Sequence, residues 1–147
     1  MRLLSSRFAP LFAALLAVVL AACAPLPPMP QELEAQRFEA VADQSVIYIV
    51  RPYPDASSQP TPLWLDDNVI GSTYPGTFYR WVVPAGRHRI AGYAGDSGRI
   101  EFDTAPGRIY FVYQSYGRPF GFSGRSYLQL MDDAQGRALV RQSRLAG

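Results

Sequence analysis

His88 is the only histidine in this chain of 147 residues, and histidine is the usual general base near neutral pH. Nucleophilic catalysis would need an activated serine or cysteine beside it and a carboxylate to orient it. The sequence contains no Gly-x-Ser-x-Gly motif, and a metal site normally recruits several His or Cys ligands. We therefore predict a structural role for His88 beside the turn at 84–86, with no catalytic residue and no metal site.

Two pairs of carboxylates, Asp66-Asp67 and Asp132-Asp133, are the next candidates because a glycosidase uses two acids. Those acids must face each other about 5 to 10 Å apart across the sugar bond. Neighbouring residues of a strand point to opposite faces, so neither pair can act in this way alone. Both pairs lie at predicted turns, and neither has the Asp-x-Asp-x-Asp-Gly spacing of a calcium loop. We predict turn residues, and a protein that is not an enzyme.

Three glycines, Gly92, Gly95 and Gly98, raise the question of a phosphate-binding loop. Such a loop delivers backbone N–H groups at the start of a helix, whereas strands are predicted on both sides of these glycines. The glycines are therefore interpreted as a flexible connection between two strands. No cofactor is predicted.

The segment 116–125 is the strongest candidate for binding because it places aromatic and arginine side chains on glycine joints between strands. Aromatic rings stack on sugars or on partner side chains, and arginine donates forked hydrogen bonds. Phe120 and Phe122 have a second interpretation of equal weight, in which their rings fold back and pack at one end of the sandwich. For Tyr79 and Trp81, which share one face of a strand, the core is favoured. The candidate partner-binding residues are Tyr116, Arg118, Phe120, Phe122 and Arg125.

Cys23 is the only cysteine, and the sequence before it points to lipid chemistry. Arg2 and Arg7 are followed by an apolar stretch over 11–20 and by small residues, which is the pattern of a secretory signal peptide. The run Leu-Ala-Ala-Cys at 20–23 resembles the lipobox of bacterial lipoproteins. This resemblance implies that residues 1–22 are a signal peptide and that Cys23 becomes a lipid-bearing N-terminus. A retained membrane helix is the alternative, but the apolar stretch falls short of the roughly 20 residues that span a bilayer.

Lipidation would place the protein at a membrane of the bacterial envelope. Acyl chains such as palmitate hold a protein to the bilayer because each buried methylene contributes about 0.8 kcal/mol. Ala24 follows the cysteine where lipoproteins of the inner membrane often carry Asp. The resemblance therefore favours the outer membrane of a Gram-negative cell, with the protein facing the periplasm.

The charge balance argues against nucleic acid as a partner. All 14 basic residues are arginines, and without Arg2 and Arg7 the arginines and the acidic residues number 12 each. A neutral domain has no basic field to displace counterions from phosphates. The partners that we expect are the membrane, through the lipid anchor, and an envelope protein or a glycan.

The region 23–44 is predicted to connect the anchor to the folded domain. Prolines at 25, 27, 28 and 30 favour an extended spacer of about 3.1 Å per residue. Residues 31–42 show a weak amphipathic pattern that predicts a short helix, which either lies on its own domain or docks to a partner. We expect the folded domain at 45–147, a length that suits a single core.

From residue 45 the hydrophobic period changes from helical to two, and short segments rich in β-branched and aromatic residues alternate with turn residues. The segment 46–51 is predicted to be a central buried strand, and Asp-Asp-Asn at 66–68 is predicted to turn a hairpin. Residues 132–136 are interpreted as a turn, and 137–144 as a strand or a short helix. About seven or eight strands without long helices predict an all-β fold, a small antiparallel β-sandwich, with a small barrel as the alternative.

The order of the segments adds a resemblance. It is carried by Val-Ile-Tyr-Ile-Val-Arg-Pro at 46–52, Trp-Leu-Asp at 64–66 with Gly71, Phe-Tyr-Arg-Trp at 78–81, Pro-Ala-Gly-Arg-His-Arg-Ile at 84–90 and Gly-Arg-Ile-Tyr-Phe-Val at 107–112. This order resembles an uncharacterised family of bacterial lipoproteins built on a domain of unknown function, with central strands similar to PEGA domains. The resemblance covers 38–145 and implies a small immunoglobulin-like or PEGA-like sandwich on a lipid anchor.

The expected function follows from the anchor and from the absence of a catalytic motif in the sequence. We expect a periplasm-facing lipoprotein that is a non-enzymatic binding or structural module of the cell envelope. The alternative is a module that binds glycan, such as peptidoglycan, through the aromatic and arginine side chains of 116–125.

Overall fold

The computed structural model describes residues 27–93, 98–117 and 124–146. Within these ranges the chain forms mostly strands, with one short helix before them and one near the C-terminus. The elements in chain order are α1 (Pro30–Ala35), β1 (Gln44–Arg51), β2 (Thr61–Leu65), β3 (Asn68–Thr73), β4 (Thr77–Pro84), β5 (Gly86–Ala91), β6 (Arg99–Thr104), β7 (Ile109–Gly117), β8 (Arg125–Met131), α2 (Asp133–Arg141) and β9 (Arg144–Leu145).

The strands form two sheets, which confirms the predicted small β-sandwich. One sheet has the order β8-β7-β1-β4-β9 and the other has the order β3-β2-β5-β6. Strand β1 lies in the middle of the first sheet, as predicted, and all but one of its residues are buried. The predicted hairpin is also present, since β2 and β3 pair antiparallel across the turn at 66–68.

Two of the strand pairs are parallel, which the sequence did not predict. Strand β1 pairs antiparallel with β4 but parallel with β7, so that Tyr48 lies between Arg80 and Phe111. Strand β9 pairs parallel with β4. A parallel pair needs a long crossover connection, and the chain between β1 and β7 supplies it by forming β4 and the whole second sheet.

One core lies between the two sheets. Ile47 and Ile49 of β1 and Val112 of β7 pack there with buried side chains of the second sheet, Leu63, Ile90 and Phe102. The rings of Tyr79 and Trp81 are stacked 5.3 Å apart and pack against this cluster. The structure therefore places both rings on the core side of β4, which the sequence favoured.

A second core lies on the other face of the first sheet, beneath the two helices. Val46, Tyr48 and Val50 alternate with the residues of the first core and pack against Ala35 of α1 and Val140 of α2. Strand β1 is therefore covered on both faces, which explains why its sequence is a continuous apolar run rather than an alternation.

Helix α1 is shorter than the predicted helix at 31–42. It ends at Ala35, and Phe38 then takes a left-handed backbone conformation with φ of 57°. This turn carries the Phe38 ring into the second core, 5.5 Å from the ring of Tyr48. A continuing helix is therefore replaced by a bend that buries the phenylalanine.

Helix α2 begins where a turn was predicted at 132–136. The Asp132 carboxylate caps it by accepting the Gln135 N–H at 2.8 Å, and Asp133 pairs with Arg137 one turn later at 2.7 Å. Gly136, which suggested a turn, lies so close to the Phe111 ring that a Cβ has no room. The glycine therefore allows helix α2 to pack closely against Phe111 of β7.

No helix in the described ranges is long and apolar enough to span a membrane.

Candidate functional site

One end of the sandwich carries four tyrosines, and we call it the tyrosine end. It is defined by the exposed Tyr53, Tyr74 and Tyr93 and the half-buried Tyr116. Strand β1 ends there at Arg51, which lies opposite Thr77, the first residue of β4. The parallel strand β7 ends at the same side, and the Tyr116 ring meets the Tyr93 ring edge-on at 6.1 Å. Tyr53 is 80% exposed, and Tyr74 and Tyr93 are each about half exposed.

A completely buried arginine organises this end. Arg51 closes the apolar run of β1, and its guanidinium Nε donates to Asp55 Oδ2 at 2.5 Å. The two remaining nitrogens of the guanidinium donate to four further oxygens of the loop and of the neighbouring strands, namely Gln59 O, Thr61 Oγ1, Thr73 O and Ser57 O. Every one of the three guanidinium nitrogens is thus bonded, and the loop 52–60 is held against the ends of β1, β2 and β3.

Asp55 extends this network to strand β7. Its carboxylate accepts the backbone N–H of Tyr116 at 3.1 and 3.3 Å, and the Arg51 guanidinium carbon lies 5.9 Å from the Tyr116 ring centroid. The loop that carries Tyr53 and the strand that carries Tyr116 therefore share one buried ion pair.

The predicted binding segment begins at this place. At the paired ends of β7 and β8, Tyr116 lies opposite Ser126 and Gly117 lies opposite Arg125, so the Tyr116 and Arg125 side chains lie on opposite faces of the sheet. Tyr116 is half-buried, and the Arg125 guanidinium lies 5.5 Å above the Tyr127 ring. Arg118, Phe120 and Phe122 lie outside the described residues, as does Cys23. The contact role of the first three and the lipidation of Cys23 stay predictions.

His88 lies at the opposite end of the sandwich. It is buried, with Nδ1 2.7 Å from Asp66 Oδ2 and Nε2 2.8 Å from the Pro84 carbonyl oxygen. Each ring nitrogen therefore has one oxygen of the protein within hydrogen-bond distance. The imidazole ties the turn at 66–68 to the turn at 84–86, and neither nitrogen is left to act on a substrate.

The Asp66 carboxyl has a lowered pKa. Burial by itself raises the pKa, but the Arg89 N–H at 2.8 Å, the hydrogen bond to His88 and the positive charges of both side chains outweigh it. Asp66 and Asp67 both have positive φ, as the hairpin turn requires. The Asp67 carboxylate is bound to the Arg89 side chain, and Asp66 accepts the Arg89 backbone N–H, so both acids are engaged by the same neighbouring strand.

No cluster of three or more His, Cys, Asp or Glu side chains that could hold a metal ion occurs in the ranges 27–93, 98–117 and 124–146.

An apolar groove of about 460 Å³ runs between α2 and the edge strand β8, lined mainly by Tyr113, Leu130, Met131 and Leu139.

Arg51 and Asp55 were not among the candidate residues from the sequence. The signal was present, because a charge that ends an uninterrupted apolar strand needs a partner, and the nearest acid follows four residues later. The other four oxygens that accept from Arg51 belong to residues 57–73, which no spacing in the sequence reveals.

These features define a small β-sandwich with two helices on one sheet and a tyrosine-rich end whose loop is held by a buried ion pair. No known protein-family model matches the chain. The chain is similar to an uncharacterized protein of Haemophilus influenzae, with 26% identity over 134 residues, and the match covers 88% of this chain and 79% of that protein. The likeness extends over most of both chains and assigns no activity.

Proposed function

We propose that this protein is a lipid-anchored, periplasm-facing lipoprotein of the bacterial envelope that acts as a non-enzymatic binding or structural module, and that its tyrosine end makes the contact. The observation that carries the proposal is the buried Arg51–Asp55 pair, which holds the loop 52–60 in place while Tyr53 stays 80% exposed. A buried ion pair contributes little net stability compared with apolar packing, so its value here is the fixed position of the loop.

The physical benefit of a fixed loop is in binding. A contact surface that is already ordered loses less conformational entropy when a partner arrives. Tyrosine suits such a surface because its ring offers apolar area and its hydroxyl can still reach water or a polar partner. The fixed loop and the exposed ring are therefore suited to contact with another component of the envelope.

The anchor is the part of the proposal that rests on the sequence. The signal-like segment 1–22 and the lipobox-like run that ends at Cys23 support lipidation, and Ala24 supports the outer membrane. The strand order that resembles PEGA domains supports membership of a family of envelope lipoproteins with no assigned activity.

The chemistry of the described residues supports a protein that binds rather than catalyses. Both nitrogens of the single histidine are hydrogen-bonded to the protein itself, to Asp66 and to Pro84. The acids beside it are bound to Arg89. A general base would need a free position toward a substrate.

Glycan binding is the second candidate, favoured by the stacking of Arg125 on Tyr127 beside the tyrosine end. Tyr127 is 43% exposed, and a flat exposed ring next to an arginine fits a sugar. Peptidoglycan is the glycan that a periplasmic module would meet.

The proposal is tested by photo-crosslinking in native envelopes. A photo-reactive phenylalanine analogue is placed at position 53 or 74, and at the exposed valine positions 69 and 82 in the other half of the sandwich as matched controls. The protein is recovered through a C-terminal tag, and its adducts are identified by mass spectrometry as proteins, muropeptides or lipids.

We expect adducts with one class of envelope component from positions 53 and 74 and few from 69 and 82. Equal yields from all four positions would overturn the tyrosine end as the contact surface. Muropeptide adducts alone would favour the glycan candidate.

A further inference from the structure

We propose that the tyrosine end lies against the headgroup layer of the membrane that holds the lipid anchor, so that the bilayer itself is the first partner of this surface. The inference deepens the proposed function and rests on lipidation at Cys23. It places the carboxyl end of β1 toward the membrane and the His88 end toward the aqueous phase.

Pro27 lies close to the tyrosine end. The Pro27 carbonyl oxygen accepts a hydrogen bond from the Arg144 side chain at 3.2 Å, and the Arg144 N–H donates to the Gly76 carbonyl at 2.8 Å. The Gly76 N–H in turn donates to the Arg51 carbonyl at 2.7 Å. A short series of contacts therefore holds Pro27 near the loop 74–76, which belongs to the tyrosine end.

Helix α1 fixes this arrangement. Glu32 is buried, and its carboxylate accepts the Leu145 N–H at 3.0 Å and pairs with Arg144 at 3.0 Å. Residues 27–35 are therefore bound to strand β9 instead of extending freely into solvent. Pro27 is therefore a fixed point on the domain, from which the greatest distance to Cys23 can be calculated.

The tether, defined as residues 24–26 between Cys23 and Pro27, is short. Four peptide units separate Cys23 from Pro27, and they span at most about 14 Å when fully extended. The eight residues of β1 alone extend about 26 Å. Because the tether is shorter than the sandwich, the end to which it is attached is the end that stays close to the bilayer.

The tyrosine end exposes side chains that suit the interface of a membrane. Met29, Tyr53, Tyr74 and Tyr93 are all about half exposed or more, which puts four of the exposed large apolar side chains of the described chain at one end. Tyrosine is enriched where proteins meet the membrane interface, because its ring enters the apolar boundary while its hydroxyl remains among the headgroups.

Charge supports the same orientation. The loops 52–60 and 74–76 contain one charged residue, Asp55, and it is neutralised by Arg51. Approach to a membrane therefore desolvates no unpaired charge from these loops. The opposite end carries a cleft of about 360 Å³ lined by acidic and basic side chains, which favours water.

The test uses the full lipidated protein, purified from membranes and reconstituted into vesicles of phosphatidylethanolamine and phosphatidylglycerol. Cys23 is the only cysteine, and acylation blocks its sulfur, so an introduced cysteine is the only free thiol. Spin labels are attached in separate Tyr53→Cys, Tyr74→Cys and Val69→Cys variants, and collision with a water-soluble nickel chelate is measured for each label. Thermal unfolding of each variant checks the fold.

In water alone position 53 should be at least as accessible as position 69, since Tyr53 is 80% exposed and Val69 is 68% exposed. On vesicles we expect the order to reverse, with nickel accessibility several-fold lower at 53 and 74 than at 69. Equal accessibility, or greater accessibility at 53, would overturn the proposed orientation, and so would equal shielding of all three positions.

The intact mass of the same sample separates the two proposals. An acylated chain without shielding at position 53 refutes the orientation and leaves the anchor standing. A chain with residues 1–22 retained and Cys23 unmodified refutes both. Protein or glycan adducts in envelopes, together with no shielding on vesicles, would mean that the tyrosine end binds a component other than lipid.

Discussion

The Arg51 guanidinium and the Asp55 carboxylate form an ion pair with Nε and Oδ2 2.5 Å apart, and both side chains are almost fully buried, at 0% and 5% exposure. The pair joins the end of the central strand to the loop that presents Tyr53. Through the Tyr116 N–H it also reaches strand β7. Three parts of the tyrosine end thus depend on two side chains.

Breaking this pair is expected to be costly. Asp55→Asn leaves the Arg51 charge buried without its counter-charge, and removing one partner of a buried pair typically costs about 3 to 5 kcal/mol. The free energy of unfolding from urea titration measures the effect. The control is Glu101→Gln, which breaks the exposed pair with Arg87 and should change that free energy by less than about 1 kcal/mol. A loss in Asp55→Asn no larger than in the control would show that the loop is held by other contacts.

The free energy of unfolding at low pH should depend on the ionisation of Asp66. Its pKa in the folded protein lies below the ordinary value of 3.8, so the ionised carboxylate stabilises the fold above that pH. This stabilisation is lost as the pH falls through the folded value. We expect Asp66→Asn to lose less stability than the wild type between neutral pH and pH values below 3.8.

Asparagine tolerates the positive φ of this position, so the turn itself should persist in Asp66→Asn. Asp67→Asn is the matched control, since Asp67 is the next residue of the same turn and its side chain is 79% exposed. Urea titrations at several pH values compare the three proteins. Identical pH profiles for wild type and Asp66→Asn would contradict the expected role of the carboxylate.

We expect the buried hydroxyl of Tyr48 to make the free energy of unfolding fall at high pH. Its buried hydroxyl donates to the Ala35 carbonyl at 2.6 Å and accepts from Arg80 Nε at 3.2 Å. Burial raises the pKa of Tyr48 above 10.0, with a smaller opposing effect from Arg80. The neutral hydroxyl therefore stabilises the fold below pH 10.0, and this contribution is lost as the pH rises through the folded pKa.

Tyr48→Phe should destabilise the protein by about 1 to 3 kcal/mol, because the substitution leaves the partners of a buried hydroxyl unpaired. Its loss of stability above pH 10.0 should also be smaller than in the wild type. Tyr74→Phe, at a half-exposed ring, is the control and should leave the free energy of unfolding nearly unchanged. An unchanged unfolding free energy in Tyr48→Phe would mean that helix α1 does not depend on this bond.

Much of the fold could be predicted because it is encoded locally. The run of β-branched and aromatic residues at 46–51 and the Asp-Asp-Asn turn at 66–68 predicted a buried strand and a hairpin, both of which the structure contains. Such a run cannot reveal the direction of a partner strand, since parallel and antiparallel neighbours bury the same faces. The parallel pairing of β1 with β7 could therefore not be predicted from the sequence.

Local signals failed where tertiary packing overrides them. Gly136 suggests a turn in the sequence, but the close approach of Phe111 requires a glycine inside a helix at that position. Phe38 fits a helical pattern, yet its burial against Tyr48 ends the helix before it. Of the tyrosine end, the sequence predicted Tyr116 as a binding residue but not Tyr53. The position of Tyr53 depends on the Arg51–Asp55 pair, which the sequence analysis did not identify.

The central claim is that a lipid at Cys23 holds the sandwich to a membrane. The most direct measurement is the intact mass of the protein purified from cell envelopes, beside that of Cys23→Ser. We expect a chain that begins at residue 23 and carries the mass of a lipid modification, and an unprocessed, unmodified chain in the variant. A wild-type protein that retains residues 1–22 and a free thiol would contradict the claim.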